Sequence, residues 1–300
     1  IDMTMEVEAI GLEEVVAVGY GVQKKVNVTG SVGVIESEKL ENRPVSRLEQ
    51  ALQGQVSGLK VIQTTGQPGS ESISMQIRGQ STFTSNPILT IVDGIPSSIS
   101  RLNPDDIESI SVLKDASSTA IYGARAAGGV ILITTKTGKA GKAKLSYNGY
   151  MGIQQPTRFP EKVSAYDHAI LFNEAEYNDN PDRTSYSFSD DDLALYSSPE
   201  WNDYDAFSAA FSNALQTQHD ISISGGSEKQ DYYISIGYLF QDGTLNNTGY
   251  ERYNIQLNHN INLGEKFKIS FRGSYRPEVR TAPSEVNYSG GPPRGLGNLI

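Results

Sequence analysis

A compact α+β domain followed by antiparallel strands of a transmembrane β-barrel is the fold that this sequence predicts, on three observations. Composition suits short strands and turns, because only 37% of the 300 residues are hydrophobic while Gly (29) and Tyr (16) are plentiful. Hydropathy excludes helical spans: no run of about 18 apolar residues exists, and the longest aliphatic block is the VILI of 130–133. Patterning changes around 136–142 (KTGKAGK), with short irregular elements before it and strict two-residue alternation after it.

In the first half, 28–35 reads as a strand and 46–52 as a helix, with Leu48, Ala51 and Leu52 on one side and an end near Gly54. Short strands follow at 59–62, 73–77 and 88–92, separated by turn chemistry at Gln67-Pro68-Gly69 and Asp93-Gly94. Residues 107–136 are the most informative. Ile110 and Val112 alternate with polar neighbours as in a half-buried strand, Asp115 is placed to cap a short Ala/Ser-rich helix, and Gly123 to stop it. That helix has little bulk, which suits close packing. Gly128-Gly129 opens a second strand over 130–135, rich in branched residues. The basic, glycine-bearing stretch 136–142 has no apolar anchor, so the domain is expected to end there.

Beyond it, Leu145, Tyr147, Met151 and Ile153 share one face. Leu215, Ile221 and Ile223 oppose Gln216, Gln218, Asp220, Ser222 and Ser224, and Tyr232, Ile234, Ile236, Tyr238 and Phe240 make a third stripe. Tyr253, Ile255, Leu257, Ile261 and Leu263 alternate with Asn254, Gln256, Asn258, Asn260 and Asn262. Phe267, Ile269, Phe271 and Tyr275 alternate with Lys268, Ser270, Arg272 and Ser274. Each segment has the roughly ten residues that a tilted strand needs to cross a bilayer. The gaps run long (156–214), short (226–230), medium (242–249), very short (264–265), then long again from Pro277. Outer-membrane barrels alternate periplasmic turns with longer outer loops, whereas a soluble sheet has no cause to do so. Five strands cannot close, since about eight are the minimum and about 22 surround an internal domain. The chain is therefore expected to be part of a longer one. Within 156–214, Ser164 and Ser189 open helices with a capping pattern, and Trp201, Tyr204, Phe207 and Phe211 fall at helical spacing, as a stripe that packs the loop.

Other classes find little support. A net charge of −10 argues against nucleic-acid binding. Cysteine is absent, His168, His219 and His259 are scattered, and Asp190, Asp191 and Asp192 lack the spaced oxygens and Gly of a calcium loop, so no metal or cofactor is expected. Ser111 with Lys114, and Lys136-Thr137-Gly138, match two elements of penicillin-binding enzymes. The third is missing, and Ser111 falls on a strand rather than at a helix start. With no other catalytic motif present, no enzyme is expected.

Segment by segment, the chain resembles the SusC/RagA family of TonB-dependent outer-membrane transporters. The motifs that carry this are 12–21 (LEEVVAVGYG), 42–45 (NRPV), 52–59 (LQGQVSGL), Ile77-Arg78-Gly79, Asn86-Pro87, 92–96 (VDGIP), 102–108 (LNPDDIE), the 107–136 run, Gly225-Gly226 with Tyr232-Tyr233, and 250–253 (YERY). Ala17 stands where the family usually has Val, and Gly128 where it often has Asn. The resemblance implies a carboxypeptidase-like extension ending in 1–11, a TonB box in 12–22, a plug domain over 23–138, a linker at 139–144, and the first strands and loops of a 22-stranded barrel over 145–300.

Functionally, the resemblance implies active import of an oligosaccharide or peptide across the outer membrane of a Bacteroidetes cell. TonB, energised by ExbB and ExbD, would engage Glu13, Glu14, Val15, Val16, Ala17 and Val18. Alternating β-formers there suit strand addition, and the five acidic side chains of 1–23 suit a basic partner. A SusD-like surface lipoprotein is the implied lid and outer-membrane lipid the surrounding phase. Arg78 is expected to contact the barrel wall. Gln80, Ser81, Thr82, Phe83, Thr84, Ser85 and Asn86, with Ser97, Ser98 and Arg101, are expected to face substrate. Two other functions fit the same pattern: a siderophore or cobalamin receptor, and a surface adhesin or secretion pore without energised uptake.

Overall fold

The computed structural model describes residues 15–18, 21–24, 32–41, 43–79, 87–264 and 267–283. The chain divides into two compact units. One comprises Ile1–Gly152, Leu215–Gly243 and Asn247–Ala282, the other Ile153–Ala214, Thr244–Asn246 and Pro283–Ile300.

In the first unit, β1 (Val15–Val18) and β2 (Gly21–Lys24) form an antiparallel pair with Val15 opposite Lys24. The mixed domain follows: β3 (Val32–Glu36), α1 (Glu38–Glu41), α2 (Leu48–Ala51), β4 (Leu59–Gln63), β5 (Ile73–Ile77), β6 (Leu89–Val92), β7 (Ile95–Pro96), β8 (Ile107–Leu113), α3 (Ala116–Thr119) and β9 (Val130–Thr135). Its main sheet runs β3-β8-β9-β6-β7, and β6 and β9 pair in parallel. The aliphatic run of β9 is explained by burial on both faces. Ile131 and Ile133 join Ile35, Leu48, Leu52 and Ile110 in one core, while Val130 and Leu132 join Ile91, Leu113 and Ala126 in another.

Two local expectations are corrected here. β8 is not half-buried, since Ser111 is covered along with Ile110 and Val112; the strand lies inside the sheet, and a bulge at Ile107/Ser109 shifts its phase. Asp115 occupies the cap position of α3 but makes no capping bond, because its carboxylate pairs with Arg78 at 2.5 Å. Gly123, at φ +67, breaks the helical path as its sequence position predicts.

The alternating segments form one antiparallel sheet ordered β10 (Gly141–Gln154), β11 (Ala214–Gly226), β12 (Gln230–Asp242), β13 (Gly249–Leu263) and β14 (Phe267–Tyr275). β10 starts inside the stretch expected as linker. The fifth stave does not stop before Pro277. β15 (Glu278–Thr281) continues along β13, and the Pro277 carbonyl accepts from the Tyr253 N–H at 3.0 Å, so the proline interrupts the ladder without ending it. Connections of a few residues at 227–229, 243–248 and 264–266 contrast with the long excursion after β10.

Burial in this sheet is inverted relative to a soluble sandwich. Ile221, Ile236, Ile255, Ile269 and Phe271 are exposed, at 43–61%. Gln216, Gln218, Asp220, Ser235, Asn254, Gln256, Asn258 and Asn260 are buried, at 7% or less. An apolar outer face over a polar inner one is the arrangement that a barrel wall in lipid requires.

The second unit carries α4 (Ala165–Asp179), α5 (Asp190–Tyr196) and α6 (Ala206–Ala210). Ser164 and Ser189 cap α4 and α5, and Ser189 with Asp192 completes a capping box. The stripe expected on one helix is not on one. Residues 201–205 are non-helical, because Asp203 accepts from Trp201 Nε1 (2.8 Å) and Asp205 caps α6 through the Phe207 N–H (3.2 Å). Trp201 packs on Tyr196 (4.7 Å between centroids), and Phe207 and Phe211 pack on Phe159.

Candidate functional site: the seam between domain and strands

Polar contacts join the mixed domain to the sheet, and three groups of them, among the described residues, are built as follows. The first is built on a short turn, Pro104–Asp106, entered from Asn103. Asn103 Nδ2 donates to Asp220 Oδ1 at 2.5 Å, and Gln218 Nε2 donates to Asp105 Oδ2 (3.1 Å) and Asp220 Oδ2 (2.6 Å). Asp106 Oδ1 accepts from the hydroxyls of Tyr233 (3.0 Å) and Ser235. Burial pushes the Asp106 carboxyl above the usual carboxylate range, against the opposing pull of those two hydroxyls and of the Arg276 charge. Gly237, opposite Asp220 in register, keeps the space open, since a Cβ there would stand 2.1 Å from Asp220 Oδ1.

The second contact follows β9. Asn258 Nδ2 donates to Thr135 Oγ1 (2.8 Å) and to the Lys136 carbonyl (2.7 Å). The stretch after it is no loose tether: a Cβ on Gly138 would meet the Gly225 oxygen and the Tyr232 nitrogen at 2.4 Å, so the chain lies against the β11–β12 turn.

The third contact involves α2. Arg252, fully buried, donates from Nη1 to the Ser46 carbonyl at 2.6 Å. Behind it, Arg47 and Ser46 hold Glu71 at 2.6 and 2.9 Å, and Arg47 also binds the Gly69 carbonyl. Gly69, at φ +70, lies flat on the Tyr250 ring, where a Cβ would approach to 2.3 Å. A charged hydrogen bond of this type contributes about 1.5–3 kcal/mol, so each contact fixes position more than it adds stability.

Comparison with known proteins bears on this arrangement. Residues 24–130 match the TonB-dependent Receptor Plug Domain family. The chain is 38% identical over 92% of its length to TonB-dependent receptor P26 of Formosa agariphila, spanning 28% of that protein. Against TonB-dependent receptor SusC of Bacteroides thetaiotaomicron it is 34% identical over 82% of its length, spanning 24% of that protein. A solved structure of the RagAB peptide importer in its open-open state superposes with a TM-score of 0.74 at 34% identity, covering 90% of this chain and 33% of that one. The chain belongs to the SusC/RagA-like TonB-dependent receptors. Its mixed domain is their plug, and β10–β15 are staves of their barrel.

Among the described residues, Arg78 pairs with the plug's own Asp115, with left-handed backbone, φ 59. Arg101 reaches Glu278 of β15 at 3.1 Å. Ser97 and Ser98 are exposed and line a cavity of 500 Å³ with Thr90 and Arg125. Val15, Val16, Ala17 and Val18 constitute β1. Glu13, Glu14 and the loop from Gln80 to Asn86 lie outside the described residues. The plug–stave contacts at Asn103, Asp105, Asp106, Asp220, Arg252 and Asn258 were not foreseen. Their one sequence signal is a polar residue on the inner face of an alternating strand. Among the described residues, no cluster of three or more His, Asp or Glu side chains is arranged to hold a metal.

Proposed function

We propose that the whole receptor imports a nutrient, an oligosaccharide or a peptide, across the outer membrane, with the plug as its gate. The observation that carries this reading is a plug held against a lipid-facing wall by discrete polar contacts, which a pull on the plug's N-terminal side can release one at a time. In this reading residues 12–22 are the TonB box, preceded by the end of an extension at 1–11. Glu13, Glu14 and β1 add as a strand to TonB, powered by ExbB and ExbD. The loop 80–86, with Ser97, Ser98 and Arg101, meets the incoming solute beneath a SusD-like lipoprotein. Similarity to the RagAB peptide importer, at 34% identity, supports a peptide-like solute. Deleting 13–18 from the full receptor tests this. Uptake of labelled oligosaccharides and peptides should be lost while the amount of receptor in the outer membrane stays unchanged. Uptake that survives the deletion would contradict energised import and favour a passive pore or adhesin.

A further inference from the structure

We propose that Glu278 of β15 is a carboxylate contested by two arginines. Arg101 of the plug holds it in the structure; once Arg101 is drawn off, Arg252 of β13 takes it, leaves the Ser46 carbonyl and unlatches α2. Arg101 Nη2 stands 3.1 Å from Glu278 Oε1, which also takes Arg280 Nη2 at 2.6 Å. Glu278 Oε2 accepts from the Tyr250 hydroxyl at 3.1 Å. Arg252 lies directly opposite Glu278 in the β13–β15 register. Residues opposed in this way project from one face with Cβ atoms about 4.5–5.5 Å apart, so the two side chains can meet without backbone movement.

Arg252 is the group with a reason to move. It is fully buried, yet among the described residues its guanidinium makes a single hydrogen bond, from Nη1 to the Ser46 carbonyl at 2.6 Å. Nε and Nη2 are closed off from solvent and find no acceptor in hydrogen-bonding geometry. A covered cation without a carboxylate is unfavourably placed and turns to any that becomes available. Glu71 is already taken, by the Ser46 hydroxyl on Oε1 and by Arg47 on Oε2. Glu49 has a covered Oε2 without a partner, but it belongs to α2 itself, so pairing with it would keep α2 latched. Glu278 is the carboxylate whose transfer to Arg252 frees α2. Its hold on Arg101 is the easier one to break, because the Arg101 side chain is 58% exposed and an ion pair with a solvated partner is weak. The inference rests on the import reading only for what draws Arg101 away, an anionic group of the solute.

The test leaves out solute and TonB, so its failure and the failure of the import reading are told apart. In the full receptor in a lipid bilayer, hydrogen exchange at 50–53 is compared among wild type, Arg101→Gln, Glu278→Gln and the double variant. The amides of Gln50, Leu52 and Gln53 are bonded within the α2 turn and report its hold. Arg101→Gln frees Glu278 for Arg252 and should raise exchange there about tenfold or more, as the loss of one charge-assisted hydrogen bond implies. Glu278→Gln breaks the same ion pair but leaves Arg252 no carboxylate to follow, so exchange should stay at the wild-type rate, alone and in the double variant. An ion pair that served only as a fastener would loosen α2 alike in both single variants. Equal effects, or no effect of Arg101→Gln, overturn the proposal. Should Glu278→Gln fail to assemble in the membrane, Arg252→Met takes its place: in that background Arg101→Gln should change nothing further at 50–53, and a further rise overturns the proposal.

Discussion

At Gly237 a single hydrogen atom in place of a side chain decides how plug and wall meet. Alanine there would place its Cβ 2.1 Å from Asp220 Oδ1, with Asn103 Nδ2 at 3.1 Å. Asp220 would have to turn away and surrender the Asn103 bond. Gly237→Ala should therefore raise hydrogen exchange in the 103–113 segment while leaving exchange of the β12–β13 ladder unchanged. Asn258→Ala removes both hydrogen bonds that Asn258 Nδ2 donates, to Thr135 Oγ1 and to the Lys136 carbonyl, and should weaken plug seating by about 1–3 kcal/mol. Denaturant titration followed by a probe on the plug reads that loss. Neither residue was identified as functional by sequence reasoning. Asn103 and Asp220 are 117 positions apart, and no local pattern encodes which polar residue of a stave meets which turn of the plug. Arg78, read from its charge as an ion-pairing residue, pairs with Asp115 among the described residues.

Elements were legible where a period or a capping pattern dictated them. β9 matches its branched run residue for residue, and β13 matches its alternation, because burial on two faces and on one face write different patterns. The helix expected from Trp201 to Phe211 failed where short acidic side chains competed for the backbone, and Pro277 looked like a strand end because a missing N–H does not prevent its carbonyl from pairing. α4 and the turn after it carry a further expectation. Glu176 accepts from the Ser187 hydroxyl (2.7 Å) and N–H (2.8 Å) and pairs with Arg183, and these bonds, the Ser187 hydroxyl first, lower its pKa to about 2. The sign follows: the turn is held above the ordinary carboxylate value of about 4.3 and released as pH falls through about 2. Glu176→Gln should raise exchange at 183–188 at neutral pH and remove that acid-side transition.

For the whole molecule, the governing feature is the sense of burial in β11–β13. Apolar side chains point out and amides point in, so the outer face asks for lipid and the inner face for a hydrogen-bonding guest. The plug is that guest. A charge placed on the outer face at mid-strand, as in Ile255→Lys, should cost about 2–4 kcal/mol in the membrane and lower the yield of heat-resistant folded barrel, whereas a lumen-side exchange should not. The most direct test of the whole account uses the lack of cysteine in these 300 residues. Single cysteines at Ile236, Ile255 and Phe271, and at Gln256, Asn258 and Asn260, are spin-labelled in the membrane-embedded receptor. Accessibility to oxygen dissolved in lipid should be high for the first three and low for the second three. Equal access along β13, or water-soluble relaxant reaching Ile255 as readily as an exposed loop, would contradict a lipid-facing wall around a plug.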